Sequence, residues 1–278
     1  MVNILFCGDN KVCEGIYLSA LSICKNNYAE INFYIMTANI KNHIAINKDF
    51  SCALQKRIQQ INPKNKVILI DATDVFGAYL PTANMQTRFT PFCMLRLFAD
   101  MIPQIPDKIL YIDTDVMCLK SISELYNMNI ENCEIAGVPD RYGKWFFGNI
   151  LTHNYLNSGV LLLNMKNIRK SHLFAKCRLM CRNKKMFMPD QSALNKLAIK
   201  KKLPTKYNEQ KKINKNTILK HFTTYFKFFP FFRSVTIKPW NVDELHNELK
   251  IFEFDDIIYE YQRSNINEKS DTNILHNR

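Results

Sequence analysis

From Val2 onward the chain alternates short apolar runs with longer stretches of helical period, and that alternation admits few folds. The run "VNILFC" (Val2 to Cys7) reads as a strand, with "GDN" (Gly8 to Asn10) as the turn after it. A helix is expected over about Val12 to Lys25, where Val12, Ile16, Ala20 and Ile23 fall near one face. "INFYIMTA" is a second strand, "FSCALQKRIQQI" a helix and "KVILIDA" a third strand. A helix around Phe92 to Met101 then leads into a fourth strand. This order implies an α/β fold, a mostly parallel sheet with helices on both faces. Ligands of such sheets bind at the carboxyl ends of the strands.

The fourth strand, "DKILYIDTDVMCL", is the unusual one. It is apolar enough to be buried on both faces, yet it runs into Asp113 and Asp115. Residues i and i+2 of a strand point the same way, so both carboxylates would meet at one spot. Repulsion between them makes a bound cation one answer. A plain strand end that opens a turn is the commoner reading of any single D-x-D. Asp9 belongs to the same expected edge, at the end of the first strand.

The second half is mixed. "EIAGVPD", "NSGVLLLNM" and "TILKHFTTYF" read as strands, "IRKSHLFAKCRLMCRNK" and "DQSALNKLAI" as helices, and Ser121 to Glu124 has capping-box spacing. The tail after about Lys269 is polar and expected to fray. No apolar run approaches the ~20 residues of a membrane-spanning helix, and the N-terminus has no secretion-signal pattern. Nine cysteines without a C-x-x-C pair read as reduced core thiols of a cytoplasmic protein.

A formal charge of +13 calls for an anionic partner or a heavily solvated face. The lysines concentrate between Lys196 and Lys220, including Lys206, Lys211, Lys212 and Lys215. Nucleic acid, an anionic membrane surface and an anionic acceptor are the functional readings. The segment lacks the interleaved aromatics and arginines of a nucleic-acid site, so no nucleic acid is expected. With only seven glycines there is no glycine-rich phosphate loop. A nucleotide site here would need a divalent cation on Asp113 and Asp115 to neutralise a diphosphate, and oxygen ligands suit Mg2+ or Mn2+.

Five motifs occur in order: "NILFCGDN", "LRLFADMIPQIPDKILYIDTDV", "YLNSGVLLLNM", "PDQSALN" and a later histidine with "KPW". In these the chain resembles glycosyltransferase family 8, the retaining transferases that include bacterial lipopolysaccharide glucosyl- and galactosyltransferases and the glycogenins. The resemblance implies the GT-A fold, a Rossmann-like nucleotide-binding half with a mostly parallel sheet fused to an acceptor-binding half. It implies a transferase domain over residues 1–242 and a partly helical C-terminal extension over 243–278.

By the same resemblance Asp113, Asp115 and His221 would hold the metal, and Asp9, Asn10, Arg96 and Thr114 would bind the nucleotide-sugar. Asp140, Asn157, Asp190 and Gln191 would surround the donor sugar and its reacting carbon. Without the family match His221 would be a structural histidine, Arg96 a surface residue and Asp190 a helix cap. Lys238 of "KPW" would meet the diphosphate. The insert "TTYFKFFPFFRSVTI", with Phe226, Phe228, Phe229, Phe231 and Phe232, leaves Lys227 as the other choice. Val12 stands where the family often has a tyrosine that stacks on the base.

The activity implied is retaining transfer of glucose or galactose from a UDP-sugar, with Mn2+ or Mg2+. The acceptor would be a saccharide, lipid-linked at the cytoplasmic face of the inner membrane or otherwise, in lipopolysaccharide or other envelope glycan synthesis, with peripheral binding to anionic membrane. A non-catalytic metal and nucleotide-sugar binder, a basic nucleic-acid binder and a two-metal nuclease are the competing classes.

Overall fold

The computed structural model describes residues 1–86, 90–143, 154–227, 231 and 233–263. The first half runs β1 (Val2–Cys7), α1 (Cys13–Lys25), β2 (Ile31–Thr37), α2 (Lys48–Ile61), β3 (Lys66–Asp71), α3 (Thr73–Ala78), β4 (Lys108–Ile112), β5 (Val116–Cys118) and α4 (Ser123–Tyr126). Then follow β6 (Ile135–Pro139), β7 (Leu156–Asn164), α5 (Met165–Ser171), α6 (Leu173–Asn183), α7 (Pro189–Leu197), β8 (Lys200–Lys202), β9 (Leu219–His221), β10 (Tyr225–Lys227) and β11 (Arg233–Val235).

Seven strands form one sheet in the order β3-β2-β1-β4-β7-β6-β8. β3, β2, β1 and β4 are parallel, β7 runs against both β4 and β6, and β8 lies parallel to β6. The expectation of a mostly parallel sheet holds. The central strands are buried on both faces, as their apolar runs require. In β1, Ile4 and Phe6 enter the core beneath α1 and α2, whereas Leu5 and Cys7 enter the opposite core. β4 divides likewise, Leu110 and Ile112 on the first side and Ile109 and Tyr111 on the second. Each such side chain, fully buried, contributes about 1.5–3 kcal/mol of transfer free energy.

Several local expectations need correction. The helix expected around Phe92 to Met101 is present over Pro91–Met101, and it is a continuous 3-10 helix. Arg96 Nε donates to the Cys93 carbonyl at 3.0 Å, which withdraws that oxygen from the i+4 role of an α-helix. The helix expected from Ile168 to Lys184 breaks at His172, whose φ of 56° is left-handed, and α6 leaves in a new direction that buries Phe174, Cys177 and Cys181. No capping box forms at Ser121. Ile122 occupies the cap of α4, and Glu124 pairs instead with Lys206 at 2.9 Å. The strand expected over Thr217 to Phe226 divides into β9, paired with β5, and β10, paired with β11.

Beyond Val242 the chain returns to the first core. Leu245, Ile251, Phe254, Ile257 and Ile258 are buried there, and Lys25 and Arg57 pair with Asp256 and Glu260. The expected frayed end, 264–278, lies outside the described residues.

The lysine segment is not one solvated face. Lys200 Nζ and Lys201 Nζ donate to backbone carbonyls, and β8, an edge strand of three lysines, discourages pairing with another sheet. No helix among the described residues is long and apolar enough to cross a membrane.

Candidate active site

Three antiparallel and parallel pairings bring the site together. β1 and β4 end at the same edge, so Asp9 and Asp113 follow adjacent strands. β7 runs the opposite way and begins where β4 ends: Ile112 is opposite Val160, and Asp113 N donates to the Gly159 carbonyl at 2.7 Å. This delivers Asn157, Ser158 and Gly159 to the aspartates. β9 pairs with β5 so that His221 is opposite Val116.

Asp113 and Asp115 flank a turn between β4 and β5 and are not both on a strand, as their spacing had suggested. The turn produces the convergence. Thr114 is its apex, with its carbonyl pressed against α1: a Cβ on Gly15 would lie 2.5 Å from Thr114 O and 2.9 Å from the Trp240 ring. Ligand atoms of Asp113, Asp115 and His221 lie within 4.8 Å of one another. Two carboxylates and an imidazole, at a separation near the ~3–4 Å between ligands around one small ion, fit a divalent cation of the magnesium or manganese kind.

Gly159 makes that cluster sterically feasible. A Cβ there would lie 2.7 Å from His221 Nδ1 and 2.8 Å from Asp113 Oδ2.

Asp115 is kept charged by its neighbours. Burial pushes the Asp115 carboxyl up, but the Lys238 ammonium and His221 outweigh it and hold it well below the usual carboxylate range. Lys238 Nζ bonds Asp115 Oδ2 directly, and Asp115 Oδ1 is 3.2 Å from His221 Nε2. Asp113 is anchored from the other side by Tyr111 Oη at 2.6 Å and Arg96 Nη2 at 3.0 Å.

Arg96 is 3% exposed, with its guanidinium 3.7 Å above the Tyr111 ring. Burial works against its charge, and Tyr111, Asp113 and Asp190 hold the proton on. Its Nη1 also donates to the Ser158 carbonyl. Arg96 therefore ties the 3-10 helix, the aspartate turn and β7 together.

Asp190 and Gln191 enter from the first turn of α7. Asp190 is buried, which raises its pKa against the opposing charge of Arg96. Its Oδ2 lies 3.5 Å from Arg96 Nε but has no hydrogen bond, an orphaned acceptor in the wall of the cleft. Gln191 Oε1 accepts from Ser158 N at 2.9 Å and Ser158 Oγ at 3.2 Å, while its Nε2 faces Asp140 Oδ2 at 3.3 Å.

A further chain of bonds connects these groups to the metal cluster. Asp140 can only accept, so Asn157 presents Nδ2 to it at 2.9 Å. Asn157 Oδ1 then accepts from Asn208 Nδ2 at 2.9 Å and from Gly159 N at 3.0 Å. Asn208 Oδ1 is thereby left facing His221 Nδ1.

Asp113, Asp115, Asp140, Asn157, Asp190, Gln191, Arg96, His221 and Lys238 all line one cleft of about 250 Å3, with Tyr142, Ser158, Gln210 and Thr223. Asp9 and Asn10 do not line it. Asp9 is 3% exposed, caps the turn at Lys11 N, and its Oδ2 meets His43 Nδ1 at 2.5 Å; Asn10 N is bonded to the Ile44 carbonyl. Of the aromatic insert, Phe226 packs edge-on against Tyr142 and Phe231 is exposed, while Phe228, Phe229 and Phe232 lie outside the described residues. Sequence reasoning missed Asn208, His43, Tyr111 and Ser158, which sit in loops or apolar runs with no periodic signal.

The decisive observation is a match of residues 3–244 to the model of glycosyl transferase family 8. The chain belongs to that family. It is 26% identical over 291 residues to the lipopolysaccharide 1,2-glucosyltransferase of Escherichia coli K12, covering 91% of this chain and 83% of that one. Glycosyltransferase GlyA of Streptococcus pneumoniae is 27% identical over 63% of this chain and 23% of its own length. The chain spans only 52% and 26% of the length of two further relatives, from Haemophilus influenzae and Streptococcus gordonii. The crystal structure of galactosyltransferase LgtC with donor and acceptor sugar analogues superimposes with a TM-score of 0.69 at 17% identity, over 93% of this chain and 96% of that one. The fold of this family 8 protein is accordingly of the GT-A type.

Proposed function

We propose that this family 8 protein is a retaining, metal-dependent hexosyltransferase that moves glucose or galactose from a UDP-sugar to a saccharide acceptor. Residues 1–242 would be the transferase domain and 243–278 its extension. The observation that carries the reading is one cleft holding both a divalent-cation donor set, Asp113, Asp115 and His221, and an unsatisfied buried carboxylate oxygen, Asp190 Oδ2. A cation there would act as a Lewis acid toward the departing diphosphate. Its imidazole ligand favours Mn2+ over Mg2+.

The chain's own residues do the rest. Lys238, on Asp115, adds a positive charge where the diphosphate would gain negative charge. Asp190 lines the cleft with an Oδ2 that is ion-paired to Arg96 but accepts no hydrogen bond, suited to a donor hydroxyl or to positive charge developing on the anomeric carbon. Gln191 Oε1 already accepts two bonds from Ser158, which makes it a poor nucleophile. Same-face attack by the acceptor hydroxyl, with the leaving phosphate taking its proton, then explains retention better than a covalent glycosyl intermediate. Asp140 and Asn157 orient Gln191 and bound the sugar site, Arg96 holds Asp113, and Asp9, Asn10 and Thr114 border the nucleoside.

The lipopolysaccharide 1,2-glucosyltransferase relative supports an envelope glycan as acceptor, and the basic charge supports work at the anionic cytoplasmic face of the inner membrane. UDP release from a panel of UDP-sugars, with and without Mn2+, tests the reading. Metal-dependent release from UDP-glucose or UDP-galactose that disappears in Asp115→Ala is expected. Absence of release together with absence of UDP binding by calorimetry overturns it.

A further inference from the structure

A second cavity, of about 600 Å3, adjoins the donor cleft, and Gln210 and Thr223 line both. β9 explains the division. Successive side chains of a strand point to opposite sides, so His221 faces the aspartates while Lys220 and Phe222 face the second cavity.

The lining of this cavity is cationic. Arg141, Lys211, Lys212, Lys220 and Lys250 contribute five positive charges against the two carboxylates of Glu248 and Glu253. Lys220 is only 5% exposed. Its ammonium donates to the carbonyls of Glu209 at 3.3 Å, Lys211 at 2.6 Å and His221 at 3.1 Å. Its charge thus rests on neutral oxygens, with no carboxylate within ion-pair distance among the described residues. Arg141, Lys211, Lys212 and Lys250 likewise have no ion-pair partner among the described residues. Half-buried Ile213, Tyr225 and Leu249 add an apolar surface of the kind that packs on the C–H face of a sugar ring, with Phe222 buried behind them.

We propose that this cavity is the acceptor subsite and that it selects a saccharide carrying a phosphate or carboxylate group. The inference rests on the transferase reading for the word acceptor; the charge preference stands on the cavity alone. The anionic group sits among Lys211, Lys212 and Lys250 at the mouth, the ring packs on Ile213, Tyr225 and Leu249, and a hydroxyl points past Thr223 toward the donor cleft.

The test titrates glucose 6-phosphate, glucuronate, glucose and inorganic phosphate into metal-free protein, followed by protein NMR. The native chain is compared with the triple variant Lys211→Glu, Lys212→Glu, Lys250→Glu, whose folding is checked by thermal melting. The two anionic sugars should bind at least about tenfold more tightly than glucose or phosphate, and raising the salt from about 50 to 300 mM should weaken them alone. The triple variant should reduce them to the level of glucose. Equal binding of glucose, equal binding of inorganic phosphate, no sugar binding at all, or anionic-sugar binding that survives the triple variant overturns the proposal. UDP binding with Mn2+, measured in parallel on the native chain, reports separately on the transferase reading.

Discussion

His221 Nδ1 lies 3.0 Å from Asn208 Oδ1, and this contact decides which ring nitrogen faces the two aspartates. Asp140 fixes the orientation of Asn208 through Asn157, because a carboxylate accepts only and each amide must turn accordingly. Nδ1 therefore donates to Asn208, which turns Nε2 toward Asp115 and presents that nitrogen to a metal. Asn208→Ala releases the ring. Mn2+ affinity, measured calorimetrically, should fall about 10- to 100-fold, as removal of an outer partner of a metal-ligating histidine does. Unchanged affinity would show that β9 alone orients the ring.

Gly159→Ala should affect the same cluster by a different route. The added methyl would press on both His221 and Asp113, so either the ligands separate or β7 shifts. A loss of about 1–3 kcal/mol in urea unfolding is expected, together with loss of Mn2+ binding. Full metal affinity at native stability would mean the turn yields more easily than its hydrogen bonds suggest.

Arg96→Met leaves buried Asp190, and the part-exposed Asp113 beside it, with their shared cation gone. Removing one member of a buried ionic group costs about 3–5 kcal/mol. Arg96→Lys should recover only part of this, because an ammonium cannot reach Ser158, Cys93 and Asp113 together. Denaturant midpoints of the two variants give the comparison.

Stability should fall steeply above pH 9. Burial pushes the thiols of Cys7, Cys24, Cys118 and Cys181 up to about 12, whereas in the unfolded chain they ionise near their ordinary value of 9. A raised folded pKa leaves stability intact below 9 and removes it as the unfolded state loses protons, at about 1.4 kcal/mol per group per pH unit. Lys220 opposes this, since burial lowers its pKa from 10.5 to about 8 and stability rises through that window. Burial lowers Lys108 and Lys200 as well, but it also raises Cys13, Cys93, Cys133 and Cys177, so the thiols keep the upper hand. Melting temperatures from pH 8 to 10.5 in the presence of a reductant check the sign.

The order of residues alone carries the alternation of strands and helices, the burial of β4 on both faces, and the motif order of the family. These are local properties: a strand period of two or an apolar run bounded by turn residues is written in consecutive positions. It also marked Asp113, Asp115, His221, Asp190 and Gln191, which one cleft gathers. How they meet is set by long-range pairing. The reversed direction of β7 brings Gly159 to Asp113, and the β5–β9 pairing brings His221 to Asp115. Neither pairing has a local signature, because each depends on register between segments far apart in the chain. The same reason hid Asn208, an ordinary loop amide until the fold puts it against His221. It also hid the division of the lysines, some bonded to backbone carbonyls and others gathered around a cavity beside the aspartate cleft.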